Sequence, residues 1–212
     1  MRAARPHEKL RIGLLGASRI AEQAIIEPAR QAGHRVVAVA ARDRSRAVEF
    51  AARHGIERVH DGYQNVIDDP QVDLVYNALV NVFHAPWNIA ALKAGKHVLS
   101  EKPITANAAE AVAVRDAASQ SDGEIFEGFH YLHHPVIARL HQVVESGEIG
   151  EVGQVDITLA TPAPPDVDPR WAFELAGGAS MDRRQAHVDS GASRAAGRAS
   201  GSRRGDEGGG GV

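Results

Sequence analysis

The 212-residue sequence predicts an α/β fold. A doubly wound parallel sheet is followed by the beginning of an incomplete α/β second domain and a disordered tail. Three observations carry this reading. Short apolar runs alternate with helix-like stretches up to about residue 127. The first run ends in a tight glycine turn that opens a helix. Polar or charged residues recur just after the runs, where the carboxyl ends of parallel strands share one edge of a sheet. The expected division is 1–127 for the sheet domain, 128–182 for the incomplete second domain and 183–212 for the tail.

The elements follow in order. Leu10–Leu15 (LRIGLL) is an apolar strand running into Gly16-Ala17-Ser18-Arg19-Ile20-Ala21, a G-x-G-x-x-A pattern with serine at the second glycine position. A helix from about Ile20 to Gln31 follows, closed by Gly33. Strand, glycine turn and helix together form the context of a dinucleotide site, with Gly16 making the turn and the helix N-terminus facing a pyrophosphate. Ser18 either crowds the phosphates with its Cβ or donates its hydroxyl to one of them. Arg35–Ala40 (RVVAVA) is the second strand. At its end an acidic residue selects NAD and an arginine accommodates the 2′-phosphate of NADP. Arg42 points to NADP, while Asp43 is either a ribose ligand or the cap of the next helix.

Further strands are expected at Arg58–His60, Asp73–Ala78, His97–Leu99 and Glu124–Phe126, with helices after Asp43, from Tyr63 to Ile67, from Ala85-Pro86 to Gly95, and from an Asn107 cap to Ser119. Gly16, Ser18, Arg19, Ile20 and Arg42 are therefore cofactor candidates on the first two strand ends. Asn81 and His84 occupy the fourth strand's end, and Glu101-Lys102-Pro103 the fifth. Pro103 restricts Lys102 to extended backbone. A lysine held beside a carboxylate at a strand end can donate a proton or bind a substrate oxygen. Taken alone, a Glu-Lys-Pro loop equally fits a surface ion pair.

Composition excludes several classes. The formal net charge of −3, with 24% charged and 43% hydrophobic residues, suggests neither a nucleic-acid nor a membrane partner. There are no cysteines, hence no disulfide or thiolate site. Eleven histidines show no H-E-x-x-H spacing, so no metal is expected. The basic N-terminus lacks an apolar signal core, which implies a cytoplasmic protein. A methyltransferase also uses a glycine turn after its first strand, but it has no use for Glu101-Lys102-Pro103 and favours an acid where Arg42 stands.

The run LVYNALVNVFHAPWNIAALKAGKHVLSEKPIT resembles the Gfo/Idh/MocA oxidoreductases, the family of glucose–fructose oxidoreductase and inositol 2-dehydrogenase. Asn81 and His84 match its N-x-x-H, residues 94–98 its A-G-K-H-V, and Glu101-Lys102-Pro103 its E-K-P. YLHHP at Tyr131–Pro135 and WAFELAGGASMD at Trp171–Asp182 resemble later segments, with Leu132 replacing an arginine. The resemblance implies a Rossmann domain, then an α/β domain with a large open sheet. It implies NADP or NAD as cofactor, a sugar- or polyol-like substrate, and a homo-oligomer for the full-length family. Lys102 would be the catalytic group beside the reacting hydroxyl. Glu101 and Pro103 would shape the nicotinamide pocket, and Leu79, Asn81 and His84 would line the cleft.

The pattern breaks after Asp182. The family continues D-x-G-x-[YH], whereas this chain reads D-R-R-Q-A-H, placing Arg184 at the glycine and Ala186 at the acid–base position. His187 is one place late, about 100° around a helix. From residue 183 onward, glycine, alanine, serine and arginine dominate, so too little apolar area is available to offset ordering. A frameshift or premature stop accounts for the change, leaving either an impaired enzyme or a non-catalytic nucleotide-binding fragment. Glu148–Thr161 (EIGEVGQVDITLAT) alternates like a half-buried strand and is expected to open the second domain's sheet with few partners.

Overall fold

The computed structural model describes residues 9–156, 158, 164–166 and 168–178. Strands β1 (Arg11–Leu15), β2 (Arg35–Ala40), β3 (Arg58–His60), β4 (Leu74–Asn77), β5 (His97–Ser100) and β6 (Ile125–Glu127) form one sheet in the order β3-β2-β1-β4-β5-β6. All neighbouring pairs are parallel. Strand order reverses between β1 and β4, which opens a crevice at their carboxyl ends. This is the doubly wound Rossmann sheet expected from the alternation of elements.

Side-chain alternation divides the core between the two faces of the sheet. On one face Ile12 and Leu14 pack with Val39, Tyr76 and helix residues Ala21, Ile25 and Phe50. On the other, Leu15, Val37, Val75 and Val98 pack with Val66, Leu92 and Val114. Each fully buried aliphatic side chain contributes roughly 1.5–3 kcal/mol. The first face is covered by α1, regular over Arg19–Ala21 and Glu27–Gln31 with a π-helical turn over Glu22–Ile26, and by α2 (Arg44–His54). The second is covered by α3 (Tyr63–Asp68), α4 (His84–Lys93) and α5 (Ala108–Ser119).

Local chemistry accounts for the helix boundaries. Pro28 lacks an N–H and crowds the carbonyl four residues earlier, and the wider π turn just ahead of it accommodates both defects. Asn107 caps α5 by accepting from Glu110 N at 3.0 Å, and Glu110 returns the contact on Ala106 N at 2.9 Å. Gly123 sits where β6 turns in beside β5. A Cβ there would lie 2.1 Å from the Lys96 carbonyl oxygen, so only glycine fits this approach. The Lys96 side chain donates to Asp69 O at 2.9 Å and Val72 O at 2.7 Å, anchoring the loop before β4.

Past β6 the expectations hold less well. A 3₁₀ turn at His130–His133 leads into α6 (Pro135–Glu145), an amphipathic helix with no buried residue and with Val136 and Leu140 exposed. The strand expected over Glu148–Thr161 is not formed among its described residues. Residues 148–156 are turns and irregular backbone, and Val155 is exposed. Alternation specifies a strand only where a neighbour supplies the ladder, and no described segment pairs here. Ile157 and Leu159 lie outside the described residues, as do Asp182, Arg184, Ala186, His187 and the whole of 183–212.

Replacing Gly123 by alanine is expected to destabilise the domain by about 1–3 kcal/mol through forced backbone displacement. Urea unfolding measures this, and an unchanged midpoint would show that the β6 turn yields freely.

Candidate active site

The first turn is built by long-range backbone bonding. Gly16 N–H donates to Ala40 O at 2.8 Å, joining the ends of β1 and β2. Its φ of +97° suits glycine, and an added Cβ would meet Leu79 Cδ2 at 3.1 Å. Ser18 takes the N-cap position of α1 with extended backbone, yet its side chain makes no capping bond. Its Oγ is buried and has no hydrogen-bond partner among the described residues. A buried hydroxyl without a partner, beside a helix N-terminus and a glycine turn, fits a cofactor phosphate oxygen. Arg19 and Ile20 are exposed at the first turn of the helix.

At the end of β2 the choice left open for Asp43 is resolved. Its carboxylate accepts from Ser45 N at 2.9 Å and Ser45 Oγ at 2.7 Å, capping α2. The Ser45 hydroxyl, then the Ser45 N–H, hold the carboxyl below its ordinary pKa. Arg42 is exposed and makes no hydrogen bond or ion pair among the described residues, whereas Arg44 pairs with Asp61 at 2.5 Å.

The ends of β4 and β5 are joined by a buried polar network. Asn88, on α4 and 0% exposed, donates to Ser100 Oγ at 3.0 Å and Ile104 O at 3.2 Å. Its own Oδ1 accepts from Asn77 Nδ2 at 2.9 Å, and Asn77 Nδ2 also reaches His84 O at 3.2 Å. These bonds hold the segment carrying Glu101, Lys102 and Pro103. Glu101 N donates to Asn77 O at 2.8 Å, and Ile104 N donates to Glu127 Oε1 at 2.7 Å. Tyr76 OH donates to Glu101 Oε1 at 2.7 Å. Burial, reinforced by the Glu101 charge, pushes the Tyr76 phenol well above its ordinary pKa, so it remains a donor. Glu101 and Lys102 are half-buried and Pro103 is buried, with a cis Lys102–Pro103 bond.

Two candidates are placed differently from the sequence expectation. His84 is only 1% exposed, its Nδ1 2.6 Å from Pro103 O and its Nε2 2.9 Å from Leu79 O. It braces the two loops from inside and presents no free nitrogen to the cleft, because α4 begins at His84 itself and turns the ring into the protein. Asn81, in the 3₁₀ turn Asn81–Phe83, donates to Ala176 O at 2.8 Å, so its amide holds the returning chain. Leu79 is partly buried against the core.

The structure adds Tyr76, Asn77, Asn88, Ser100 and Glu127 as positioning residues. Their trace in the sequence was slight: an amide inside the apolar helix HAPWNIAALK, and polar residues closing β4, β5 and β6. Among the described residues no histidine–carboxylate cluster could hold a metal ion, and no helix is long and apolar enough to cross a membrane.

Residues 10–129 match the family model described as "Oxidoreductase family, NAD-binding Rossmann fold". The chain belongs to the Gfo/Idh/MocA oxidoreductase family. A dTDP-3,4-didehydro-2,6-dideoxy-alpha-D-glucose 3-reductase of Saccharopolyspora spinosa is 39% identical over 82% of this chain and 52% of its own. A D-xylose 1-dehydrogenase (NADP(+)) of Haloferax volcanii is 36% identical over 80% of this chain and 52% of its own. A 3-ketoreductase from Actinomadura kijaniata, solved with NADP and TDP-benzene, superposes with a TM-score of 0.80 at 33% identity, covering 86% of this chain and 56% of that one. The chain thus spans about half the length of these relatives.

Tyr76→Phe should cost about 1–2 kcal/mol by leaving Glu101 without its donor. The raised phenol pKa contributes stability that is complete below the ordinary value of 10.0 and declines as pH rises above it. Alkaline unfolding followed by circular dichroism should therefore begin at higher pH in the variant than its neutral-pH stability suggests. Parallel pH–stability curves for the two proteins would contradict this.

Proposed function

We propose that this chain is the nucleotide-binding half of an NADP-dependent oxidoreductase, moving hydride between the nicotinamide and a hydroxyl-bearing carbon of a sugar, polyol or cyclic diol. The observation carrying the cofactor choice is Arg42, exposed and uncommitted at the end of β2 while its acidic neighbour Asp43 is occupied as a helix cap. Gly16 allows the backbone to approach the pyrophosphate, and Ser18 supplies a hydroxyl for it. Bound NADP supplies or accepts the hydride. Lys102 would hold the reacting oxygen and pass its proton, with Glu101 and Pro103 setting where that lysine emerges. Leu79 would pack beneath the cofactor, while Asn81 and His84 shape the cleft indirectly. The NADP named with the Actinomadura enzyme and the sugars named with the relatives support this assignment.

The same reading includes a domain boundary near residue 127, a cytoplasmic location and a homo-oligomer for the complete enzyme. A second reading, nucleotide binding without turnover, is favoured by one sequence feature. D-R-R-Q-A-H after Met181 places Ala186 where the family carries tyrosine or histidine.

Titration with NADPH, followed by its fluorescence, tests the proposal. Arg42→Ala should weaken NADPH binding about 10–100-fold, the worth of a charge-assisted contact, with NADH little affected. Equal affinity for both nucleotides in the unaltered chain would refute NADP selection. Lys102→Ala should leave NADPH affinity within about 3-fold while lowering any polyol oxidation by about 100-fold or more. Unchanged turnover would remove Lys102 from the chemistry.

A further inference from the structure

Two segments far apart in sequence meet at the mouth of the crevice between β1 and β4. Asn81, in the 3₁₀ turn after β4, donates its amide to Ala176 O at 2.8 Å. Earlier in that returning chain stands Asp168. Its carboxyl is held below its ordinary pKa chiefly by the Arg170 side chain, then by the Arg170 N–H, with the charge of Arg19 adding to them. Arg19 opens α1 just past the Gly16 turn. Residues 168–178 therefore run from the turn after β1 to the loop after β4, the two banks of the crevice.

The segment is bonded within itself. Asp168 accepts from Arg170 N at 3.0 Å and from the Arg170 guanidinium at 2.9 and 3.0 Å. Gly177 N donates to Ala172 O at 3.0 Å and Gly178 N to Arg170 O at 2.7 Å. Gly177 is buried among these carbonyls, where an added Cβ would come within 2.7 Å of the Pro169 and Arg170 oxygens. Its aromatic rings face outward, Trp171 being 58% exposed and Phe173 90%. A unit that holds its own shape and is not sealed down by its aromatics can lift as one body. Ala176 has φ +56° and ψ 37°, left-handed backbone that costs alanine more than glycine. That strain sits on the residue whose carbonyl Asn81 holds. Lifting lets Ala176 relax, so the strain works against the bond.

We propose that residues 168–178 form a strap across the crevice, latched by Asn81 on Ala176 O, and that the left-handed alanine keeps the latch weak enough for nucleotide to leave. The inference rests on the nucleotide-binding reading above and goes further by naming what sets the release rate. Asn81 and Ala176 are positioning residues that act through the strap.

Hydrogen exchange of strap peptides, read by mass spectrometry, and NADPH release, read by stopped-flow fluorescence, test this on the same proteins. In the parent, bound NADPH should raise protection of the strap. Asn81→Ala should speed both strap exchange and NADPH release about 3–10-fold through loss of one hydrogen bond. Ala176→Gly should slow both about 2–5-fold, because it relieves the backbone strain and adds no side-chain atom. Exchange of the β1, β4 and β5 amides should stay unchanged in both variants. Strap exchange indifferent to both substitutions would overturn the latch while sparing the nucleotide site. Strap exchange that shifts with no change in NADPH release would reduce the segment to a tether and overturn the inference. A parent that binds no NADPH would overturn the strap's role and the nucleotide-binding reading together.

Discussion

The site depends on one buried amide. Asn88 lies at the centre of the carboxyl edge, accepting from Asn77 on β4 and donating both to Ser100 on β5 and to the loop beyond it. A buried polar group left unsatisfied costs about 1–3 kcal/mol, so the network forms completely or not at all. The consequence is geometric. The Glu101–Ile104 segment is bonded from α4, β4 and β6, and Lys102 inherits its position from the sheet itself. His84 strengthens the arrangement by bridging the loops after β4 and β5 from the inside.

Charge on the opposite half of the edge is arranged by a division of roles within one short segment. In Arg42-Asp43-Arg44-Ser45-Arg46 the aspartate caps α2 and Arg44 pairs with Asp61. Arg46 adds its backbone N–H and its charge to Asp43, and the Arg42 side chain remains exposed. The backbone donors of this helix start are satisfied by Asp43. At the neighbouring strand end, the Ser18 hydroxyl is buried without a hydrogen-bond partner among the described residues. Unsatisfied polar groups are rare in a packed fold, and this one stands where β1 ends.

The region past β6 obeys a different balance. Helix α6 has an apolar stripe but no described element covering it, and the described residues of the alternating segment after it pair with no strand. Helices satisfy their backbone internally, whereas strands need a neighbour, so the helix forms while residues 148–156 stay irregular.

Local patterns in the sequence determined most of the fold. The period-two runs, the Gly16 turn, the Asp43 and Asn107 caps and Pro86 in the first turn of α4 all act within a few residues, and β2, β3 and α5 have the ends expected from them. The family motif was equally local, so Glu101, Lys102 and Pro103 could be singled out from the sequence alone. Tertiary structure decided what each of these side chains meets. Tyr76 reaches Glu101 across 25 positions and Glu127 reaches Ile104 across 23. The inward turn of His84 and the partnering of Asn88 arise only when α4 is laid against β4 and β5. Spacing along a chain encodes periodicity and caps, but which polar atom completes another is settled by packing elements that the chain itself keeps far apart.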